Sequence, residues 1–243
     1  MQVEALLKYC GKFSRAVASK RLLSTLLRYR VLAGTEHRPV FASSFRTIVD
    51  VGANRGQFAL AAREALPEAR IISFEPLEGP AATYHAVFAE DERVTLHQSA
   101  VGPEHKRVAM HVAARDDSSS LLPASTLQTT LYPGTETVAV VQVLACPLDE
   151  IVTRGDLVRP SLLKIDVQGA ELEVLRGCEP LLDCFDVIYC ECSFVELYVG
   201  QRLAADVIDW LAARSFGLLG FYNLERDRSG NPLQADFLFR RRP

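Results

Sequence analysis

The sequence predicts an α/β protein: a mostly parallel sheet with helices on both faces and a reversed strand at its end. Three observations carry this. From Thr47 onward, short apolar runs alternate with stretches of helical spacing, the pattern of strands covered on both sides. The first run ends in an acid and a glycine loop, "TIVDVGANRGQFA", residues 47–59. The closing runs, 218–222 and 235–239, have no helix of useful length between them, so they should pair antiparallel.

Taken in order, residues 48–51 form the first strand and 57–65 its helix, which Pro67 ends. Residues 70–74, 81–88 and 94–98 continue as strand, helix and strand. A fourth strand at 162–166, a helix from 170 to 176, a fifth strand at 186–192 and a helix at 204–214 precede the closing pair. Between the third and fourth strands lies a long excursion, 106–152. Its ends, 108–112 and 137–143, read as strands, and its polar middle is expected to cap the carboxyl edge of the sheet, because long excursions in compact domains usually serve function.

Composition bounds the rest. With 243 residues, 49% hydrophobic and 23% charged, the chain can bury a proper core. A net charge of -3 gives no reason to expect a nucleic-acid partner. No apolar run approaches the roughly 20 residues that span a bilayer, and no secretory signal is legible, so a cytoplasmic protein is expected. The six cysteines then stay reduced, with Cys190 and Cys192 on one strand face as small buried hydrophobes.

The first thirty residues set Lys8, Lys12, Arg15, Lys20, Arg21, Arg28 and Arg30 against Glu4, with leucines at helical spacing. This basic amphipathic stretch suits helices packed over the core with their charges in water, or peripheral contact with an anionic membrane. The expected division is therefore a helical segment, 1–44, and a catalytic domain, 45–243.

In open parallel sheets, ligands bind beyond the carboxyl ends of the strands, which places the glycine loop at a cofactor site. A dinucleotide fingerprint wants a glycine where Asn54 stands, between Gly52 and Gly56, and another where Gln57 stands. The loop therefore fits a cofactor with no pyrophosphate. Glu75 ends the second strand, followed by Pro76, where a carboxylate can accept both hydroxyls of a ribose. S-adenosylmethionine meets these requirements. Asp50 would reach its ammonium, directly or through water. The backbone N–H groups of residues 53–56 would take its carboxylate, and Gln98, Ser99 and Ala100 would lie beside the adenine.

Together, "IVDVGANRGQFA", "FEPLEGPAATY", "SAVG", "SSSLL", "LDEIV", "LLKIDVQGAELEVLRG", "VIYCECSFVELY" and "QADFLFRR" resemble the successive blocks of FkbM-type S-adenosylmethionine-dependent methyltransferases, over about residues 45–240. The resemblance implies a seven-stranded Rossmann-like class I methyltransferase sheet and methyl transfer to hydroxyls of sugars or natural products. Gln168 departs from the Glu that many members carry.

Methylating an alcohol needs positioning and a base. Asp166, at the end of the fourth strand, is the acid best located to serve, with Lys164 below it as support. It is otherwise a helix-capping acid. Glu191, on the next strand, could face the acceptor or share a divalent metal such as magnesium with Asp166, with Glu171 or His111 as further ligands. Ser118, Ser119 and Ser120 could bond the acceptor's hydroxyls or simply form a turn. Tyr84, His85, His97 and Trp210 read as packing residues. The expected acceptor is a sugar, such as a deoxyhexose, in a glycolipid or secondary metabolite. The rivals are an NAD-dependent oxidoreductase and a non-catalytic nucleoside-binding module.

Overall fold

The computed structural model describes residues 19–242. In chain order, α1 (Lys20–Tyr29) leads to β1 (Thr47–Val51), α2 (Gln57–Ala65), β2 (Arg70–Phe74), α3 (Glu78–Val87), β3 (Val94–His97), β4 (Ala100–Val101) and β5 (Lys106–Ala113). There follow α4 (Thr126–Leu131), β6 (Thr137–Cys146), β7 (Ser161–Ile165), α5 (Glu171–Gly177), β8 (Val187–Ser193), α6 (Ala204–Ala212), β9 (Phe216–Arg226) and β10 (Pro232–Arg241).

The main sheet has seven strands in the order β3-β2-β1-β7-β8-β10-β9. β1, β2, β3, β7 and β8 run parallel, and β10, the last strand of the chain, enters reversed between β8 and β9. Every residue of β1 and β7 is buried, as a parallel strand covered on both faces requires. Alternation sends Val49, Val51, Leu163 and Ile165 into one core and Ile48 and Leu162 into the other. α2 lies on the second core with Phe58 and Leu60 buried, each contributing roughly 1.5–3 kcal/mol by its removal from water.

The long excursion supplies β5 and β6 of a second sheet, β4-β6-β5, and the segment connecting them reaches over the carboxyl ends of the main strands. Within it α4, capped by Ser125, is a helix absent from the expected elements. α3 begins at Glu78, before the expected 81, because Pro80 falls in its first turn, where the missing N–H is no loss.

Ser19 caps α1, and Leu22 and Thr25 turn inward while Arg21 pairs with Asp91 at 3.0 Å. The described part of the basic stretch thus packs over the core with its charges outward. Residues 1–18 of that stretch, Cys10 included, lie outside the described residues. The other five cysteines are free thiols, with Cys190 and Cys192 buried on one face of β8. Among the described residues no helix is long and apolar enough to cross a membrane.

Candidate active site

Two adjoining cavities open at the carboxyl ends of the parallel strands. The first, of about 260 Å³, lies over the ends of β1, β2 and β7. The second, of about 330 Å³, extends toward β8, β9 and β10. Glu36, His37, Asp117, Asp166 and Gln168 line both and so form the passage between them.

Val51, Phe74, Val101, Met110, Val167 and Val174 give the first cavity apolar walls. Gly52, Asn54, Glu75, Pro76, Ser99 and Ala100, all expected here, line it. Gln98 is exposed and does not. Glu75 is 5% exposed, its Oε2 accepting from the Asn54 amide at 3.0 Å and its Oε1 from the Leu77 amide at 2.8 Å. Burial outweighs both hydrogen bonds and pushes its carboxyl up to about 7.

The loop corrects two expectations. The amides of Gly52 and Ala53 donate to Phe74 O, that of Asn54 to Glu75, that of Arg55 to Asn54 Oδ1 and that of Gly56 to Ala53 O. They hold the turn together and leave no donor for a ligand carboxylate. Asp50, expected at the ligand's ammonium, is fully buried beneath the loop and does not line the cavity. It faces Lys164 across the β1–β7 pairing, with Nζ 3.0 Å from Oδ1. Lys164 also donates to Gly52 O at 2.9 Å, so the pair fastens the loop from below. Burial alone would lower the Lys164 ammonium, but the charges of Asp50 and Asp166 raise it above its usual range. The Asp50 carboxyl is likewise raised, by burial against the pull of Lys164.

Gly52 takes φ +77°, and a Cβ there would stand 1.8 Å from the Asp166 carbonyl oxygen. The close contact between these two chain segments requires a glycine here. Asn54, at φ +47°, occupies the left-handed region that asparagine tolerates.

Asp166 follows β7 directly, with its side chain 33% exposed. Gln168 Nε2 donates to Asp166 Oδ1 at 2.8 Å and to Glu191 Oε2 at 2.9 Å, while Tyr198 OH donates to Gln168 Oε1 at 2.8 Å. The amide therefore sits between the carboxylates that were expected to share a metal, and it donates where a Glu would repel. Among the described residues no group of three His, Cys, Asp or Glu side chains could hold a metal ion. Glu171 is buried beneath the β7–α5 turn, accepting from the Gly169 amide at 2.8 Å, and burial pushes it up to about 7. Glu191 lines the second cavity, raised well above the carboxylate range by burial and then by Asp166 and Asp236.

The three serines separate. Ser118 lines the second cavity and Ser119 the first, its Oγ accepting from the Ala113 amide at 3.1 Å. Ser120 reaches neither cavity; its Oγ donates to Gln168 O at 2.6 Å and accepts from the Leu122 amide at 3.0 Å. It clamps the turn that carries Gln168, so the expected contact with an acceptor is not made.

His37 was not foreseen. It stands in a 3-10 helix, Thr35–Ala42, with Nδ1 3.1 Å from Tyr189 OH and 3.5 Å from Asp236 Oδ2. Asp236 also accepts from Tyr189 OH at 2.9 Å and from Asn223 at 2.7 Å. A signal for Asp236 existed: an acid in an otherwise apolar strand, "ADFLF".

The sheet order, its reversed last strand and a cavity at the carboxyl ends of β1 and β2 define a Rossmann-like methyltransferase fold. Residues 50–218 match the methyltransferase FkbM domain, and the chain belongs to that family of S-adenosylmethionine-dependent methyltransferases. It is 28% identical over 170 residues to the 2-O-methyltransferase NoeI of Sinorhizobium fredii, spanning 68% of this chain and 70% of that protein. With Methyltransferase 1 of Beauveria bassiana it shares 31% identity over 147 residues, 54% of this chain and 58% of that one. Among solved structures, it aligns with a precorrin-6y C5,15-methyltransferase of Geobacter metallireducens at TM-score 0.47 and 10% identity, over 86% of this chain and 88% of that one.

Proposed function

We propose that the protein is an O-methyltransferase whose first cavity holds S-adenosylmethionine and whose second holds a sugar hydroxyl, the two meeting at Asp166. The observation that carries this reading is the position of Asp166, a partly exposed carboxylate on the wall common to both cavities. The residues present fit the cofactor: apolar walls for a base, a buried carboxylate at Glu75 for two ribose hydroxyls, and no phosphate cradle. Bound there, it would supply an electrophilic methyl group on a sulfonium.

Asp166 then takes the hydroxyl proton as the oxygen–carbon bond forms, Gln168 fixes the carboxylate's orientation, and Lys164 secures the loop. Glu191 and Ser118 face the acceptor side. The relative described as a 2-O-methyltransferase supports oxygen as the target, and the polar walls of the second cavity support a sugar. His37 offers a second reading of the base, favoured by its place between the cavities and its neighbour Asp236.

Titration calorimetry tests the cofactor: S-adenosylmethionine and S-adenosylhomocysteine are expected to bind and NAD is not, and the reverse would restore the oxidoreductase reading. Glu75 adds a pH signature. Its carboxyl, raised to about 7, is protonated below that pH, and a protonated carboxyl accepts two hydroxyls less well. S-adenosylhomocysteine affinity should therefore rise as pH passes upward through about 7, and Glu75→Gln should bind more weakly with a flat profile. In the free protein the sign is opposite: the raised carboxyl favours folding at low pH, and that contribution is lost as pH rises through 7.

A further inference from the structure

Six carboxyl groups, those of Glu36, Asp117, Asp166, Glu191, Glu225 and Asp236, line the second cavity, against one guanidinium, Arg115, and one imidazole, His37. Arg115 is half-exposed and engaged with Asp117 at 3.1 Å. Glu191 and Asp236 stand directly opposite each other on β8 and β10, where two ionised carboxylates would repel and destabilise the sheet. The neighbouring positions set no second pair of acids together: Gln234 stands opposite Ser193 on β8 and Glu225 on β9, and Tyr132 OH donates to Glu225 at 2.8 Å.

A second observation points to a ligand. Gln128 lines the same cavity and is 4% exposed. Its Nε2 is committed to Tyr198 OH at 3.2 Å, which leaves Oε1 buried with no hydrogen-bond donor. A buried acceptor without a donor costs roughly 1–3 kcal/mol unless something supplies one. The cavity thus holds more acid than base, and its one guanidinium, the group best suited to a phosphate or carboxylate, is already engaged with Asp117.

We propose that the acceptor carries a protonated amine, as an aminated sugar does, with its ammonium among Glu191, Glu225 and Asp236 and the hydroxyl to be methylated facing Asp166. This rests on the reading of the first cavity as the cofactor site. It predicts that phosphorylated and nucleotide-activated sugars are poor acceptors, so glycosyl transfer would precede this methylation if the sugar is attached to a larger molecule.

The test uses the full chain saturated with S-adenosylhomocysteine and compares four probes by ligand-observed NMR: methyl glucosaminide, its N-acetyl derivative, methyl glucoside and glucose 6-phosphate. The amine is expected to bind about tenfold or more tightly than the neutral glycoside. The preference should fall on N-acetylation and in high salt, and it should be lost in Glu225→Gln. Binding of the amine that is absent, equal to that of the neutral glycoside, or unchanged in Glu225→Gln overturns the proposal. If S-adenosylhomocysteine binds while the amine shows no preference, only this inference falls. If S-adenosylhomocysteine does not bind, the cofactor reading falls and takes this one with it.

Discussion

Asp166→Asn is expected to bind S-adenosylhomocysteine as the parent does while methylating an acceptor at least about a hundredfold more slowly, the scale of a lost general base. The substitution keeps size and shape, and the asparagine carbonyl can still accept from Gln168 Nε2, so the wall between the cavities should stay in place. What it removes is the capacity to take a proton. Calorimetry with S-adenosylhomocysteine and single-turnover methyl transfer separate the two effects, and near-parental turnover refutes the role. His37→Gln decides the other reading of the base. If the imidazole takes the proton, this variant shows the large loss and Asp166→Asn only a small one. A small loss in His37→Gln, with its pH profile unmoved, leaves the imidazole as part of the wall.

Gly52→Ala should lower stability by roughly 2–6 kcal/mol, the sum of a strained φ and an overpacked contact. Its φ of +77° is unfavourable to any side chain, and the new Cβ would lie 1.8 Å from a backbone oxygen of the segment that carries Asp166. Backbone cannot rotate aside as a side chain can, so the β1–α2 and β7–α5 turns must part. Thermal melting should fall by roughly 5–20 °C for a domain of this size, with S-adenosylhomocysteine restoring only part of it. An unchanged melting temperature would show that the turns separate freely. Gly220→Ala is the control, because a Cβ there meets nothing within 4 Å.

The parts of the site that sequence made legible are those whose chemistry is local. Gly52, Glu75 and Asp166 each stand at the end of an apolar strand, and strand ends can be counted along a chain. Asp50 was legible as the acid that ends the first strand but not as a partner of Lys164, because that pairing depends on β1 and β7 lying side by side in register. The loop amides looked free in sequence and are spent on Phe74 and Glu75, which only the β1–β2 neighbourhood shows. α4 escaped because "TLQTTL" has no apolar period. The acids of the second cavity escaped for a topological reason. Glu191, Glu225 and Asp236 converge because β10 returns between β8 and β9, and residues 34 and 45 positions apart from Glu191 in sequence become neighbours of it.

The family match ends at residue 218 and begins at residue 50, whereas His37, Asn223, Glu225, Gln234 and Asp236 all line the second cavity. Six of the fourteen residues that line the second cavity thus fall outside the shared stretch, against three of the twenty-seven that line the first. Changes before residue 50 or after residue 218 can therefore reshape the second cavity without altering the stretch by which the family is recognised.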